Sequence, residues 1–507
     1  MSTSADHPAT PEGYLGADGR ISAGPAPELV AAGYALELGD APLLHDGLLV
    51  ADLAHVIALH ESGLVSDEVA RELLSELLSM GAVSVDDFPY DVILGDAYNS
   101  REKELTRRIG DTAGWVHLGR TRREAGRIAF RLAVRDLLVD LADAVANFSD
   151  ALSDRAVELA ETVWADTTYL QLAQPSTFGH YLASFAEESA RHLPRIRAAH
   201  EWIDISPAGS GGVAGTRMHL DRARLAELLG FAAVGRNTRD TMWTIDGLIE
   251  ITAAAAQTVI TADRLAEDLQ IFASAGFGLV TVDASLCRAS VLMPQKRNPY
   301  ALSVIRAGAS TMIGRLAGIA ATARTPSAST DNWLHSYGEV AASLTLATRL
   351  VRLATVVVRT LQINAEAMSR SAHDQQTAST DIADELVLVA GLDYRTAYRI
   401  VGHTVAQSLR TAQPISINTL EASCVELTGG PLPEAARTLD LAAILDPVTL
   451  VSSRTEPGGC GPDLVRDEIA TLRPIVAAQR TWFVERAAKG NGALTQLRER
   501  AASLAAK

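Results

Sequence analysis

Cysteine is scarce in this chain of 507 residues: three occur, Cys287, Cys424 and Cys460. They form neither a Cys-x-x-Cys pair nor a Cys/His cluster, so no disulfide framework or zinc site is expected, and a reducing cytoplasm fits best. Positive charge is also short. With 45 Lys and Arg against 61 Asp and Glu, the formal net charge is −16. Such a field repels polyphosphate, which argues against nucleic acid and anionic membrane surfaces as partners. An anionic small molecule must then meet a local group of cations. Long apolar runs are missing as well: ITAAAAQTVITADRLAEDL, for example, is interrupted by polar and charged residues. No transmembrane segment is expected. The opening MSTSADHPATPEGYLGADGR has neither the basic start nor the apolar stretch of a secretion signal and reads as a flexible lead-in.

What is present is apolar content at helical spacing. Hydrophobic residues make up 48% of the chain, enough to bury a large core in two or three domains. Val134, Leu137, Leu138, Leu141, Val145, Phe148 and Leu152 recur every three or four positions with charges between them, the mark of a long amphipathic helix. Similar spacing appears around 180–200, 245–275, 301–323 and 338–365, while alternating strand-like runs are few. The expectation is an all-α, mainly helical protein. Helices of this length need partners along their whole course, so a bundle and a homo-oligomer are expected.

Four segments concentrate polar chemistry. SVLMPQKRNPY, residues 290 to 300, holds a serine, two cations and an asparagine between prolines that exclude helix. It reads as a loop built for an anion, against the plainer reading of a solvated basic loop. WVHLGRTRREAGR, residues 115 to 127, gathers His117, Arg120, Arg122, Arg123 and Arg127 at a predicted helix start. Cations are disfavoured there by the helix dipole, which suggests an anionic partner. TTYLQLAQPSTFGHY, residues 167 to 181, supplies Thr168, Tyr169 and Gln174 around a proline break. PAGSGGVAGT, residues 207 to 216, either brings backbone N–H groups to a ligand or simply joins two helices.

Taken in this order, the segments resemble the argininosuccinate lyase branch of the aspartase/fumarase superfamily. ASVLMPQKRNP is similar to its signature loop GSSxMPxKxN, and TYLQLAQPSTFGHYLASFAE, PAGSGGVAGT and TASTDIADELV are similar to other blocks of that branch. The resemblance implies a three-domain subunit, taken here as 1–118, 119–366 and 367–507. It implies a homotetramer with composite active sites and chemistry that needs no metal or organic cofactor. The family removes a proton beside a carboxylate and expels an amine or oxygen group, usually releasing fumarate. Ser290 matches the catalytic base; Lys296 and Asn298 match positions that stabilise the dianion formed when that proton leaves. Thr121 and Arg122 fall where the family binds a substrate carboxylate, and Gln174 falls in its AQP turn.

The departures are specific. Tyr169 stands where the family has a histidine, and Ser303 where it has the glutamate supporting that histidine. Losing both members together suggests a rebuilt site, in which Tyr169 serves either as proton donor or as a hydrogen-bonding wall residue. Arg123 replaces a carboxylate-binding asparagine, which would favour a more anionic substrate or compensate Glu124. Tyr98 replaces another histidine, while Asp96 and Glu102 remain. The family's Tyr and Gln loop aligns with Ser329 and Leu334. Its receptor for the arginine end has no counterpart around 35–40. Loss of glycine at Ala289 stiffens the signature loop, and loss of a hydroxyl at Val291 removes a donor.

The favoured function is therefore β-elimination, or the reverse addition, at a substituted succinate or aspartate, with C–N cleavage other than that of argininosuccinate. Cyclisation or another elimination on the same scaffold is the first alternative. A noncatalytic binding or structural protein is the second.

Overall fold

A computed structural model describes residues 20–21, 23–329 and 334–506. Residues 1–19, nearly all of the lead-in, lie outside the described residues. The fold is mainly α, as the periodicity predicts: 70% of it is helix and 5% strand.

The central element is the helix Arg122–Glu158, 37 residues and about 55 Å long. Thr121 starts it by accepting a hydrogen bond from Glu124 N at 3.3 Å, an N-cap that satisfies one of the donors left over at a helix start. Val134, Leu138, Leu141, Val145, Phe148 and Leu152 are all buried; Leu137 is only partly so. Around this helix pack Ala41–Glu61, Phe178–Ala190, Tyr337–Thr360 and Pro462–Ala505. Asp246–Phe272, Tyr300–Thr322 and Tyr337–Thr360 pack on one another as a second layer. Two glycines allow the closest approaches. A Cβ at Gly47 would stand 2.5 Å from Ala129 Cα, and one at Gly308 would stand 2.3 Å from Leu350 Cδ1.

The periodic stretch around 180–200 forms two helices, Phe178–Ala190 and Leu193–Ile203. Pro194 explains the break, because proline is tolerated in a first turn and not in an interior. Ala41–Glu61 and Tyr337–Thr360 are long and apolar enough to cross a bilayer by length and composition. Both are largely buried against other helices, so their apolar character is already used in packing. A single large core runs from Ala41 through the long helices and takes in Val465 to Leu504 of the last one. A smaller core around Ile382, Leu386, Ile400 and Leu420 holds the segment between.

Among the described residues, the strands form two-stranded pairs. Val163–Thr168 pairs antiparallel with Gln171–Thr177, Thr168 facing Gln171; the sequence pattern did not reveal this hairpin. Arg288–Ala289 pairs with Arg297–Asn298, so the predicted loop is the end of a second hairpin. Its root is tied to the bundle by Val280–Thr281, which pairs with Gln362–Ile363.

Candidate active site

At the start of the central helix, the cationic cluster read from sequence has mostly found its anions inside the chain. Arg120 is buried and donates to Asp52 Oδ1 at 2.5 Å, Ala51 O at 3.0 Å and the Tyr98 hydroxyl at 2.9 Å. Arg123 donates to both oxygens of Glu37, at 2.6 and 3.3 Å. It does not compensate Glu124. His117 pairs with Glu102 at 2.8 Å, and Arg127 lies over the Trp243 ring, 4.6 Å from its centre. Arg122 pairs with Asp96 at 3.2 Å but keeps 41% of its side chain exposed. It is therefore the member of the cluster best placed to exchange its partner for a ligand.

Arg122, Arg123, Asp96 and Tyr98 line a cavity of ≈ 40 Å³ together with Glu37, Asp40, Leu44, Leu48, Leu334 and Tyr337. Sequence reasoning missed Glu37, Asp40 and Tyr337. No local spacing marks them, since they reach the cavity from elements far along the chain. Tyr98, where the family has a histidine, is buried, and burial pushes its phenol up, so it stays neutral. Ser329 and Leu334 are described, and Leu334 lines this cavity.

Glu124 sits one turn into the same helix, fully buried, and accepts from Gly209 N at 2.7 Å and Gly211 N at 2.6 Å. Both glycines have φ in the left-handed region, +73° and +61°, which a side chain would strain. The Gly-rich segment thus spends these two amides on Glu124, so neither is offered to a ligand. Burial is the main cause that raises the Glu124 carboxyl to about 7, with the two amides, Arg120 and Arg222 opposing.

The second hairpin carries Ser290, Lys296 and Asn298. Ser290 Oγ accepts from Met293 N at 3.1 Å, and Asn298 Nδ2 donates to Arg288 O at 3.0 Å. Arg297 anchors the root, donating to Val282 O at 2.5 Å. Beyond these contacts the hairpin end stands in solvent, and Val291, Leu292 and Lys296 are exposed. One turn into the following helix, Ser303 is also exposed. The first hairpin is similar in character. Its two-residue turn is Tyr169-Leu170, both with positive φ, +56° and +60°, and Tyr169 is 99% exposed. Neither residue is glycine, so the turn holds a conformation that costs roughly 1–2 kcal/mol per residue. Thr168 and Gln174 are exposed on the strands beside it.

Among the described residues, no hydrogen bond or ion pair joins the arginine cavity, the serine hairpin and the tyrosine turn. The structure brings Thr121, Arg122 and Arg123 together and leaves Ser290, Lys296 and Asn298 on one hairpin and Thr168, Tyr169 and Gln174 on another.

Comparison with known proteins puts a family to this arrangement. Residues 54–314 match the lyase family model. Argininosuccinate lyase of Methanoculleus marisnigri is 31% identical over 452 residues, 89% of this chain and 91% of its own. The chain belongs to the lyase family of the aspartase/fumarase superfamily. Argininosuccinate lyase 1 of Mesorhizobium japonicum is also 31% identical, over 89% of this chain and 95% of its own. Among solved structures, a variant of EDDS lyase with bound fumarate superposes with a TM-score of 0.84 at 27% identity, covering 96% of this chain and 98% of that one. This lyase is thus a carbon–nitrogen lyase in kind.

Proposed function

We propose that this lyase eliminates an amine from an N-substituted aspartate, releasing fumarate or a related unsaturated acid, or runs the reverse addition. The observation that carries the reading is the pairing of two features. Ser290, Lys296 and Asn298 share one solvent-facing hairpin, and Arg122 keeps an open face beside a cavity. Removing a proton beside a carboxylate places a second negative charge on that group, so the reaction needs a base, a carboxylate anchor and cations for the dianion. Ser290 is the base, Lys296 and Asn298 stabilise the dianion, and Thr121 and Arg122 anchor a carboxylate. Tyr169 donates the proton to the leaving amine, with Thr168 and Gln174 as neighbouring hydrogen-bonding groups.

This division of labour requires a composite site. Each hairpin ends in solvent within one protomer, and a serine becomes a useful base only where water is excluded and donors converge. Copies of the chain packed as a homotetramer along the long helices would close the three parts on one another. The positive φ at Tyr169 and Leu170 supports the same view, because strain of this kind collects at functional turns. Three free cysteines accord with a cytoplasmic enzyme.

The test is a panel of N-substituted aspartates followed by the absorbance of the new double bond. Turnover with at least one member, lost in Ser290→Ala, supports the reading; no unsaturated acid from any member rejects it. Mixed oligomers of Ser290→Ala with Arg122→Ala address the composite site. Recovery of activity on mixing two inactive variants is expected only where one site draws on different subunits.

A further inference from the structure

Glu124 is a buried carboxylate to which the proposed reaction gives no part. Its two oxygens accept from Gly209 N and Gly211 N at 2.7 and 2.6 Å, so it grips the Gly-rich segment from the helix side. The segment is tied from its other side as well. Arg222 donates from Nε to Ala208 O at 3.1 Å and from Nη2 to Ser210 Oγ at 3.3 Å, and Trp243 Nε1 donates to Gly212 O at 3.0 Å. The segment is thus a strap across the start of the central helix. A Cβ at Gly119 would stand 2.7 Å from Thr216 Oγ1, and one at Gly212 would stand 3.9 Å from the Thr121 methyl. The strap therefore borders the chain on both sides of Arg120.

Joining two helices does not require this arrangement. An apolar side chain of similar volume would hold a strap at less desolvation cost than a buried carboxylate. What a carboxylate adds is direction, because its oxygens accept along set lines and fix the distance from strap to helix. The residue bordered at that distance is Thr121. Its Oγ1 already accepts from Glu124 N at 3.3 Å, which leaves the hydroxyl proton to be donated elsewhere. A threonine commonly chooses between two χ1 wells, so a neighbour beside its methyl decides where that proton points.

We propose that Glu124 is a positioning residue for Thr121: it holds the strap beside the Thr121 methyl and so keeps the hydroxyl turned toward the substrate carboxylate. The inference rests on the carboxylate anchoring proposed above. Glu124 touches no substrate itself, and its effect on binding should vanish once Thr121 has lost its methyl.

The test is a double-mutant cycle read by calorimetric titration of fumarate into the oligomeric protein, with no amine present and hence no turnover. Glu124→Gln keeps the side chain's size but turns an amide toward one glycine N–H, and it is expected to weaken fumarate binding about tenfold at unchanged stoichiometry. Thr121→Ser keeps the capping hydroxyl without the methyl and should weaken binding about fivefold. The double variant should lose about tenfold in all, where independent effects would give about fiftyfold. Arg222→Met slackens the strap without touching the Glu124 hydrogen bonds. Its expected loss of about threefold should likewise disappear in Thr121→Ser, and this cycle carries the test should Glu124→Gln fail to fold. Affinity of folded Glu124→Gln within about twofold of wild type, a fall in stoichiometry alone, or losses that multiply in the double variants overturn the inference. Arg122→Ala examines the anchoring separately. Fumarate binding that is absent, or indifferent to Arg122→Ala, rejects the anchor and the positioning role with it. A strong Arg122→Ala effect beside independent Glu124 and Thr121 effects rejects the positioning role alone.

Discussion

Arg120 and Lys296 are both cations in polar segments that sequence reading marked for anion binding, yet their surroundings are opposite. Arg120 is buried and shared by Asp52, Ala51 and Tyr98, whereas Lys296 stands exposed near the end of a hairpin. Around Arg120, carboxylates already offset the cost of burying charge, so the region is rigid before any ligand arrives. The serine hairpin has few contacts of its own. Its chemistry is left for a neighbour, a substrate, or closure to complete. A cluster of cations in a sequence therefore marks either a foundation or a reaction surface, and only the partners decide between them.

The contrast fails first if the hairpin turns out to be structural. Ser290→Ala is expected to lower kcat/KM by about 10³-fold or more, with a melting temperature that stays within about 1 °C of wild type, since the half-buried hydroxyl lies outside the core and its contact is the local one to Met293 N. Comparable losses of activity and stability would mean that Ser290 supports the fold. The converse test lies at the arginine end. Asp52→Ala leaves Arg120 without its carboxylate in a buried site, and Arg101, 3.8 Å from the same carboxylate, loses it too. Unfolding by urea should show a loss of about 3–5 kcal/mol. A loss under about 1 kcal/mol would show that water reaches these arginines, and the distinction between foundation and surface would blur.

These outcomes also bear on what was legible in the sequence. The central helix was readable because its core residues repeat locally, and the serine hairpin because its prolines, cations and asparagine fall within eleven positions. The partners of the arginines were not. Glu37 lies 86 residues from Arg123, and Glu124 meets Gly209 and Gly211 about as far along the chain. Such pairings follow from how helices dock and carry no spacing signal. The Tyr169-Leu170 turn was hidden for another reason. Two-residue hairpin turns are announced by Asn-Gly or Gly, and here the left-handed positions are held by a tyrosine and a leucine.

That turn supplies the next sharpening. If Tyr169 transfers the proton to the leaving amine, Tyr169→Phe should lower kcat by about 10²-fold with little change in melting temperature, since the ring is solvated in the protomer. Near-normal turnover would reduce the phenol to a wall residue. The serine hairpin would then be the sole reactive surface in the comparison.

The smallest effect belongs to the foundation and depends on pH. Glu124 is held at about 7 in the folded chain against an ordinary 4.5, chiefly by burial. A carboxyl with a raised folded pKa binds its proton more tightly when folded. Its contribution to stability is thus complete below about pH 4.5 and is lost as pH rises through about 7. Glutamine mimics the protonated carboxyl and does not titrate, although it cannot accept equally well from both Gly209 and Gly211. Wild type should therefore lose about 2 °C of melting temperature relative to Glu124→Gln between pH 5 and pH 8. The comparison between the two proteins matters because other buried carboxyls, Asp40 among them, titrate in the same range and cancel in the difference. A flat difference would mean that the two glycine N–H groups hold Glu124 ionised throughout. The clamp on the Gly-rich segment would then be a permanent charge, and the arginine end would be still more firmly preorganised than its burial alone implies.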